Sequence, residues 1–324
     1  MYLPHKHRSV SDGEHFYVLT VISNPMRFKS RYELYGRFIK RMEKAGAKVI
    51  TCELALGNRS HEVTEKGNPL HVQVRSDDIL WVKENLIQVA SRRLPEEAAY
   101  IAWIDADTQF TRDDWLEEAV HQLQIYNVIQ LHSHAIDLGP NGEPLQTHQG
   151  WAYSYLNGVD PGPGSMGYYP TSGGGTYLHP GYNLAMRRDV WDGIGGVYEN
   201  AIIGSGDHHF AWALMGEVER SMPGHLSDGY KKDLFALQER CEAHAKRHIG
   251  YVPGTITHDW HGPKRSRKYN DRWSIVEKHH YDPHLDLKHN IQGVLELSAR
   301  GERMRKDLVA YFGQRNEDSI DRDD

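Results

Sequence analysis

Cysteine is scarce in this sequence, which contains only Cys52 and Cys241 among its 324 residues. Two cysteines form neither a disulfide framework nor a cysteine-based zinc site, and they fit a reducing compartment. The sequence also lacks an apolar run long enough to cross a membrane, and its amino end has no signal-peptide pattern. We therefore expect a cytoplasmic protein without a membrane span.

A positive net charge is also absent. The formal charge is −6 at pH 7, so no overall electrostatic field recruits nucleic acid. The charge is unevenly distributed, because the segment from Arg240 to His280 contains nine lysines and arginines against four acidic residues. Residues 316–324 are mostly acidic and predict a frayed tail.

Apolar runs alternate with amphipathic segments in the first 131 residues. Strand patterns lie at 16–22, 48–54, 71–74, 101–104 and 127–131. Helical patterns lie at about 30–46, from Asp77 or Asp78 through Leu94, and in a segment capped by Thr111. This alternation predicts an α/β fold with a mostly parallel central sheet and helices on both faces.

The periodicity stops between Asp137 and about Pro180, where glycine, proline and tyrosine dominate. A long stretch of this kind is usually a functional loop or disordered, and its aromatic residues argue against disorder. We expect an irregular Gly/Tyr-rich insert whose rings stack on sugar or base rings. A packed Ω-like loop is the structural alternative.

Two carboxylates, Asp105 and Asp107, directly follow the buried-strand pattern at 101–104. Ligands of open α/β sheets bind beyond the carboxyl ends of the strands. Carboxylates this close repel one another unless a cation lies between them, and oxygen ligands suit Mg²⁺ or Mn²⁺. The pair therefore predicts a divalent ion beside a phosphate-bearing ligand. The alternative is a solvated acidic turn before the next helix.

Further motifs stand in the second half of the chain. They are, in order, Gly181, Asn183, Ala185, Arg187 and Arg188, then Gly195-Gly196, then Gly206-Asp207, and last His258-Asp-Trp-His261. Together with the Asp pair they resemble, in order and spacing, glycosyltransferases of the GT-A (Rossmann-like) fold, especially family-2-like enzymes. The segment 80–86 also resembles a phage and bacterial branch. The resemblance covers about 16–270 and departs at Gly206, where the family carries an acidic residue.

The resemblance implies a metal-dependent enzyme that moves a sugar from a nucleotide-sugar, expected to be a UDP-sugar, to a hydroxyl acceptor. Asp105 and Asp107 would hold Mn²⁺ or Mg²⁺ with a late histidine, either His258 or His261. Imidazole favours Mn²⁺. Asp207 would be the general base of an inverting reaction. A helix N-cap is the structural alternative for Asp207.

Donor contacts are expected at the carboxyl ends of the first strands. Residues that follow or end these strands, or precede the Asp pair, are the candidates: Ser23, Asn24, Arg27, Glu53, Arg75 and Lys83. By resemblance, the first-strand loop and Glu53 contact base and ribose, and Asp105 contacts ribose as well as metal. Arg75 and Lys83 are candidates for phosphate or uracil contacts, although such residues usually lie on solvated faces.

The resemblance and the patterns together predict three parts. They are an N-terminal lead-in at 1–15, a GT-A glycosyltransferase domain at 16–285, and a C-terminal helix with the acidic tail at 286–324. Within the domain, 16–136 is the nucleotide-sugar-binding half and 137–285 is the acceptor and catalytic half. The expected location is the cytoplasm of a bacterium or of a phage-infected host.

The acceptor is left open between a saccharide and a hydroxylated base of DNA. The phage-like branch and the basic loop Lys264-Arg-Ser-Arg-Lys268 suggest the DNA base. A nucleotidyltransferase on a similar sheet would need a glycine-rich first-strand loop, which residues 23–27 lack. A non-catalytic carbohydrate-binding protein would need neither the Asp pair nor a base. The sequence indicates no particular sugar and no oligomeric state.

Overall fold

The computed structural model describes residues 15–159, 178–269 and 271–321. The predicted lead-in up to residue 14, the glycine-rich centre of the predicted insert at 160–177, and the last three residues lie outside the described parts.

Fourteen strands and ten α-helices are formed by the described residues. The strands are β1 (Phe16–Ser23), β2 (Lys48–Leu56), β3 (His71–Ser76), β4 (Tyr100–Ile104), β5 (Thr108–Phe110), β6 (Val128–Gln130), β7 (His134–Leu138), β8 (Pro144–Gly150), β9 (Leu178–His179), β10 (Asn183–Arg187), β11 (Ile249–Tyr251), β12 (Thr255–His258), β13 (Leu287–His289) and β14 (Leu295–Leu297). The helices are α1 (Lys29–Lys44), α2 (Lys83–Ser91), α3 (Trp115–Ile125), α4 (Trp151–Leu156), α5 (Arg188–Ile194), α6 (Gly206–Met215), α7 (Asp228–His244), α8 (Trp273–Lys278), α9 (Pro283–Asp286) and α10 (Arg305–Gly313).

A seven-stranded sheet forms the centre, with the strand order β11-β6-β10-β4-β1-β2-β3. Its strands run parallel except β10, which pairs antiparallel with both β4 and β6. The strand order reverses at β1, because the next strands in the chain lie on one side of it and β4 on the other. Such a reversal opens a crevice at the carboxyl ends of the strands.

Alternate residues of the central strands enter two different cores. Phe16, Val18 and Ala102 pack with residues of α1 and α3. Leu19 and Trp103 point the other way and pack with residues of α2, α5, α6 and α7. Because side chains alternate across a strand, a strand buried on both faces must be apolar throughout. The predicted α/β fold, with a mostly parallel sheet and helices on both faces, is confirmed.

A second sheet occupies part of the segment that was predicted to be irregular. It has the order β5-β12-β7-β8-β9. Strands β7 and β8 were missed because their sequences, HAIDL and PLQTHQG, carry too few apolar residues for a strand pattern. The sheet matters for the site because its register places His258 between Thr108 on β5 and Asp137 on β7.

Two predicted helix starts were wrong. Helix α2 begins at Lys83, not at Asp77 or Asp78. The Asp78 carboxylate instead accepts the backbone N–H of Leu297 at 2.6 Å and pairs with Arg305 at 2.6 Å. Because Asp78 makes these long-range contacts, it does not cap the helix. After the Asp pair the chain first forms β5. Helix α3 then begins at Trp115, and its N-cap residue is Asp114 rather than Thr111.

The acidic tail was predicted to be frayed, but the part of it that the structure describes, up to residue 321, packs against the protein. Glu317 is 2% exposed and accepts hydrogen bonds from Arg31 and, at 2.7 Å, from Arg315. Asp318 accepts the backbone N–H groups of Lys29 and Ser30 at 2.9 and 2.8 Å, at the amino end of α1. Acidic groups suit this end of a helix, so the tail is held by the first helix of the chain.

Within the described parts, every helix is too short or too polar to cross a bilayer.

We predict that Glu317→Gln lowers the free energy of unfolding by about 3 kcal/mol, because it leaves Arg31 and Arg315 without their buried counter-charge. The matched control is Glu33→Gln on α1, which removes an exposed pair with Lys29. Such a pair is worth less than about 1 kcal/mol. Urea denaturation followed by circular dichroism measures both, and equal effects of the two substitutions would contradict a buried, stabilising tail.

Candidate active site

One cavity lies at the carboxyl edge of the central sheet. The ends of β1 and β4 form its floor, and the first turns of α2 and α6 form one wall. Residues from the C-terminal quarter of the chain complete the lining, among them Arg267, Arg272 and Arg315. This is the position in which open α/β sheets bind ligands.

Among the described residues, Asp107, His258 and His261 form a group that could hold a metal ion. Asp107 Oδ2 lies 3.6 Å from His258 Nε2 and 3.2 Å from His261 Nε2. The two Nε2 atoms are 3.1 Å apart. One carboxylate and two imidazoles therefore converge on a single point.

Asp137 fixes the orientation of His258, and sequence reasoning missed it. Its Oδ1 lies 2.9 Å from His258 Nδ1, so the other ring nitrogen, Nε2, is turned towards Asp107. The same carboxylate is approached by His148 Nε2 at 2.6 Å, the Tyr182 hydroxyl at 2.9 Å and the Lys264 ammonium. A carboxylate behind a ligating histidine is the usual way to set its tautomer and direction. Asp137 lies in the segment predicted to be irregular, so no pattern pointed to it.

The residues fit a divalent cation. Asp107 Oδ1 is buried, and no described residue hydrogen-bonds to it. Burial raises the pKa of Asp107 on its own, but the adjacent His258 and His261 outweigh it and hold the pKa below its usual range. Burial and the nearby Arg267 guanidinium hold the pKa of His261 well below its usual value, so its ring is neutral, the form that ligates metals. Two imidazoles suit Mn²⁺ better than Mg²⁺.

His258 carries the charge of the metal-free site. Burial would lower its pKa, but the carboxylates of Asp107 and Asp137 raise it to about 10. A cation bound between Asp107 and the two histidines would replace that proton.

Asp105 lies in the same cavity, but it faces Lys83. The Lys83 ammonium is 2.9 Å from each carboxylate oxygen of Asp105. Burial raises the pKa of Asp105, and the Lys83 charge opposes this effect. Of the predicted ligands, the structure thus brings together Asp107, His258 and His261, whereas Asp105 as a metal ligand stays a prediction.

Asp207 lies in the first turn of α6 and lines the cavity. The helix begins one residue earlier, at Gly206, so Asp207 is not the N-cap residue that the structural alternative required. Its Oδ1 accepts the backbone N–H of His208 at 2.8 Å. Its Oδ2 lies above Gly181, where a Cβ atom would be only 2.5 Å away. The motif glycine at 181 therefore leaves room for this carboxylate.

Only part of the predicted donor-binding set reaches this cavity. Ser23 and Lys83 line it. The Asn24 amide closes the turn before α1, with bonds of 2.7 and 2.9 Å to the Phe28 backbone. Arg27 is exposed and lies 3.6 Å from Glu62. Asn24 and Arg27 line a small neighbouring depression instead.

The side chains of Glu53 and Arg75 form hydrogen bonds within the protein. The Glu53 carboxylate is 3% exposed and accepts the backbone N–H groups of residues 62–64 as well as the Thr64 hydroxyl. The Arg75 guanidinium donates to the carbonyls of Gly57 and Arg59 at 2.8 and 2.6 Å and lies outside the cavity lining. The geometry gives no support to their predicted contacts with the nucleotide.

One part of the sequence motifs lies away from the acids, whereas the basic loop lies beside the metal-binding group. Because β10 runs antiparallel to β4, Asn183 pairs with Ile104 near the cavity and Arg187 pairs with Tyr100 at the opposite edge of the sheet. Of the basic loop, Arg267 points inward, with Nη2 3.1 Å from His261 Nε2, and Lys264 contacts Asp137.

Four arginines line the cavity and are together called the arginine wall: Arg31, Arg267, Arg272 and Arg315. Arg267 adjoins His261, whereas Arg272 lies at the amino end of α6 and donates to the Ser205 hydroxyl at 2.7 Å. Three of them are less than a tenth exposed, and the Arg272 Nε is buried with no described hydrogen-bond partner. Arg272 and Arg315 were missed because nothing in their local sequence distinguishes them from surface arginines. Buried guanidinium groups at a cavity suit phosphate oxygens.

The chain matches no protein-family profile and no curated protein. It is similar to the crystal structure of the catalytic domain of Drosophila beta1,4-galactosyltransferase 7 with xylobiose, at 12% identity and a TM-score of 0.38 over 89% of this chain and 96% of that chain. For a mutant of that enzyme with manganese, UDP-Gal and xylobiose, the identity is 13% and the TM-score 0.38, over 90% of this chain and 97% of that chain. For S. aureus TarS 1-349, the identity is 10% and the TM-score 0.33, over 71% of this chain and 72% of that chain. These TM-scores are too low to establish a common fold.

We predict that the metal-stripped protein binds Mn²⁺ and that Asp137→Asn weakens this binding by about 10- to 100-fold, because His258 loses the group that orients it. Asp107→Asn, which removes a ligand, should weaken it at least as much. Isothermal titration calorimetry with MnCl₂ measures the affinities.

The matched control is Asp114→Asn, which changes an exposed carboxylate paired with Arg112. It should leave Mn²⁺ affinity unchanged. Titration of Asp105→Asn decides whether the second carboxylate also binds the ion. Equal Mn²⁺ affinity of the wild type and Asp107→Asn would exclude the site.

Proposed function

We propose that this chain is a metal-dependent glycosyltransferase that moves a sugar from a nucleoside-diphosphate donor to a hydroxyl acceptor. The observation that carries the proposal is one cavity that joins a metal-binding group, an arginine wall and the Asp207 carboxylate. Each part meets a separate requirement of the reaction: a cation at the leaving diphosphate, further charge on its oxygens, and a base for the acceptor.

The first requirement concerns the leaving group. As the bond between the sugar and the diphosphate breaks, negative charge develops on the diphosphate. A divalent ion held by Asp107, His258 and His261 would neutralise this charge. The Arg267 and Arg315 guanidinium groups lie on the same side of the cavity and would bind the remaining phosphate oxygens. Their burial excludes water, which strengthens these contacts.

The third requirement, a base, concerns the acceptor. In a direct displacement, the acceptor oxygen bonds to the anomeric carbon while the bond from that carbon to the diphosphate oxygen breaks. The leaving oxygen takes the electron pair, and the acceptor proton passes to the Asp207 carboxylate. This route inverts the anomeric centre. Lys83 pairs with Asp105 at 2.9 Å and places a positive charge near Asp207 as well.

The donor base and the acceptor are the finer parts of the proposal. A UDP-sugar is the first donor to test, because the resemblance of the sequence motifs implies it. The DNA-base alternative depended on the phage-like branch and on the basic loop, of which Lys264 and Arg267 are turned into the protein. The loop therefore offers a smaller basic surface than its sequence indicates, and a saccharide is the acceptor that we propose.

We predict Mn²⁺-dependent release of UDP from a UDP-sugar, which EDTA abolishes and added Mn²⁺ restores. Asp207→Asn should lower kcat of transfer by about 10²- to 10⁴-fold, the usual contribution of a general base. Donor affinity should stay close to that of the wild type. Nucleotide release and calorimetric donor titration measure the two quantities.

Asp189→Asn is the control, since this exposed carboxylate pairs with Arg187 at the opposite edge of the sheet. It should change neither quantity. Turnover that persists in EDTA would remove the role of the ion, and equal loss of donor binding in Asp207→Asn would make Asp207 structural.

A further inference from the structure

Glu84 is a second carboxyl group in the wall that carries Asp207. It lies in the first turn of α2, is 5% exposed and lines the cavity. Its Oε2 accepts a hydrogen bond from Trp81 Nε1 at 3.1 Å, which fixes the side chain. The preceding residue, Lys83, turns to Asp105. The two neighbouring side chains therefore serve different parts of the cavity.

The carboxyl of Glu84 lies directly against the amino end of α6. A Cβ atom at Gly206 would be 2.7 Å from Glu84 Cδ and 2.9 Å from Oε1, closer than such atoms approach. The first residue of α6 therefore has no side chain, and Glu84 occupies that space. Asp207 is the next residue, and both carboxyl groups line the cavity and interact electrostatically.

Glu84 can act as a hydrogen-bond donor and as an acceptor. Burial raises its pKa to about 7; the Lys83 ammonium lowers it in part, and the Asp207 carboxylate raises it. Its neutral and ionised forms therefore coexist near neutral pH. A buried carboxyl group of this kind is costly unless a ligand or the protein pairs with it.

We propose that Glu84 binds the acceptor together with Asp207, so that this end of the cavity selects a polyhydroxyl acceptor with two neighbouring hydroxyl groups. The inference rests on the proposed function. Asp207 takes the proton of the attacking hydroxyl, and Glu84 hydrogen-bonds to the hydroxyl beside it. The acceptor class is therefore a saccharide with neighbouring hydroxyl groups, because an acceptor with a single hydroxyl would leave one of the two carboxyl groups unpaired.

The test compares methyl glycopyranosides that have two neighbouring hydroxyls with their singly deoxygenated analogues, using a UDP-sugar donor and Mn²⁺. Wild-type kcat/KM should favour the diol by about 10- to 100-fold, the usual effect of leaving a buried polar group unpaired. In Glu84→Ala this preference should disappear, and the KM for the diol should rise more than kcat falls. Glu84→Gln, which keeps a hydrogen-bonding group of similar size, should restore most of the preference.

Donor hydrolysis by water, measured as UDP release without acceptor, separates the two proposals. It should be similar in the wild type and in Glu84→Ala, and circular dichroism confirms that the variant folds. Glu199→Gln is the control, because Glu199 also contacts α2, through Asn85 at 2.7 Å, but lies outside the cavity lining. An undiminished diol preference in Glu84→Ala overturns the inference, as does an equal loss of transfer and hydrolysis. No donor turnover in the wild type overturns the proposed function, and the inference falls with it.

Discussion

The buried carboxylate of Asp137 is the constraint on which the candidate metal site depends. A buried charge is stable only when it is paired and hydrogen-bonded, and Asp137 has partners on β8, on β12 and in the basic loop. These contacts hold the second sheet together at the point where it meets the Asp pair. They also leave His258 with one ring nitrogen for Asp107. Loss of Asp137 would thus loosen the metal-binding group and the sheet that carries it.

Positive and negative groups both line the cavity. Arg31, Arg267 and Arg315 lie near the metal-binding group, where Glu317 balances Arg31 and Arg315. The carboxyl groups of Asp207 and Glu84 lie in the first turns of α6 and α2, where Lys83 pairs with Asp105 and Arg272 donates to the Ser205 hydroxyl. The proposed reaction needs both kinds of group, because cations bind a diphosphate and carboxyl groups bind the hydroxyls of an acceptor.

Local patterns predicted the parts of the fold that are apolar and continuous. Strands such as β1 and β4 are recognisable because both of their faces are buried. The second sheet was not predictable, because β7 and β8 are polar and pair with distant strands. For the same reason Asp137 was missed, although His258, which it orients, was a candidate ligand by its order in the sequence. Glu53 shows the opposite case: a carboxylate in the expected place binds a neighbouring loop, and its contact with the nucleotide stays a prediction.

Gly206 shows why a motif must be interpreted in three dimensions. By resemblance the chain lacks an acidic residue there, which weakens the case for an acceptor-binding end. In the structure the space beside Asp207 is filled by a carboxyl group from another helix, 122 residues earlier in the sequence. The glycine is then a requirement rather than a loss, since any side chain at this position would displace Glu84. A side chain at 206 and the carboxyl group of Glu84 cannot occupy this space together, so Gly206 and Glu84 depend on one another.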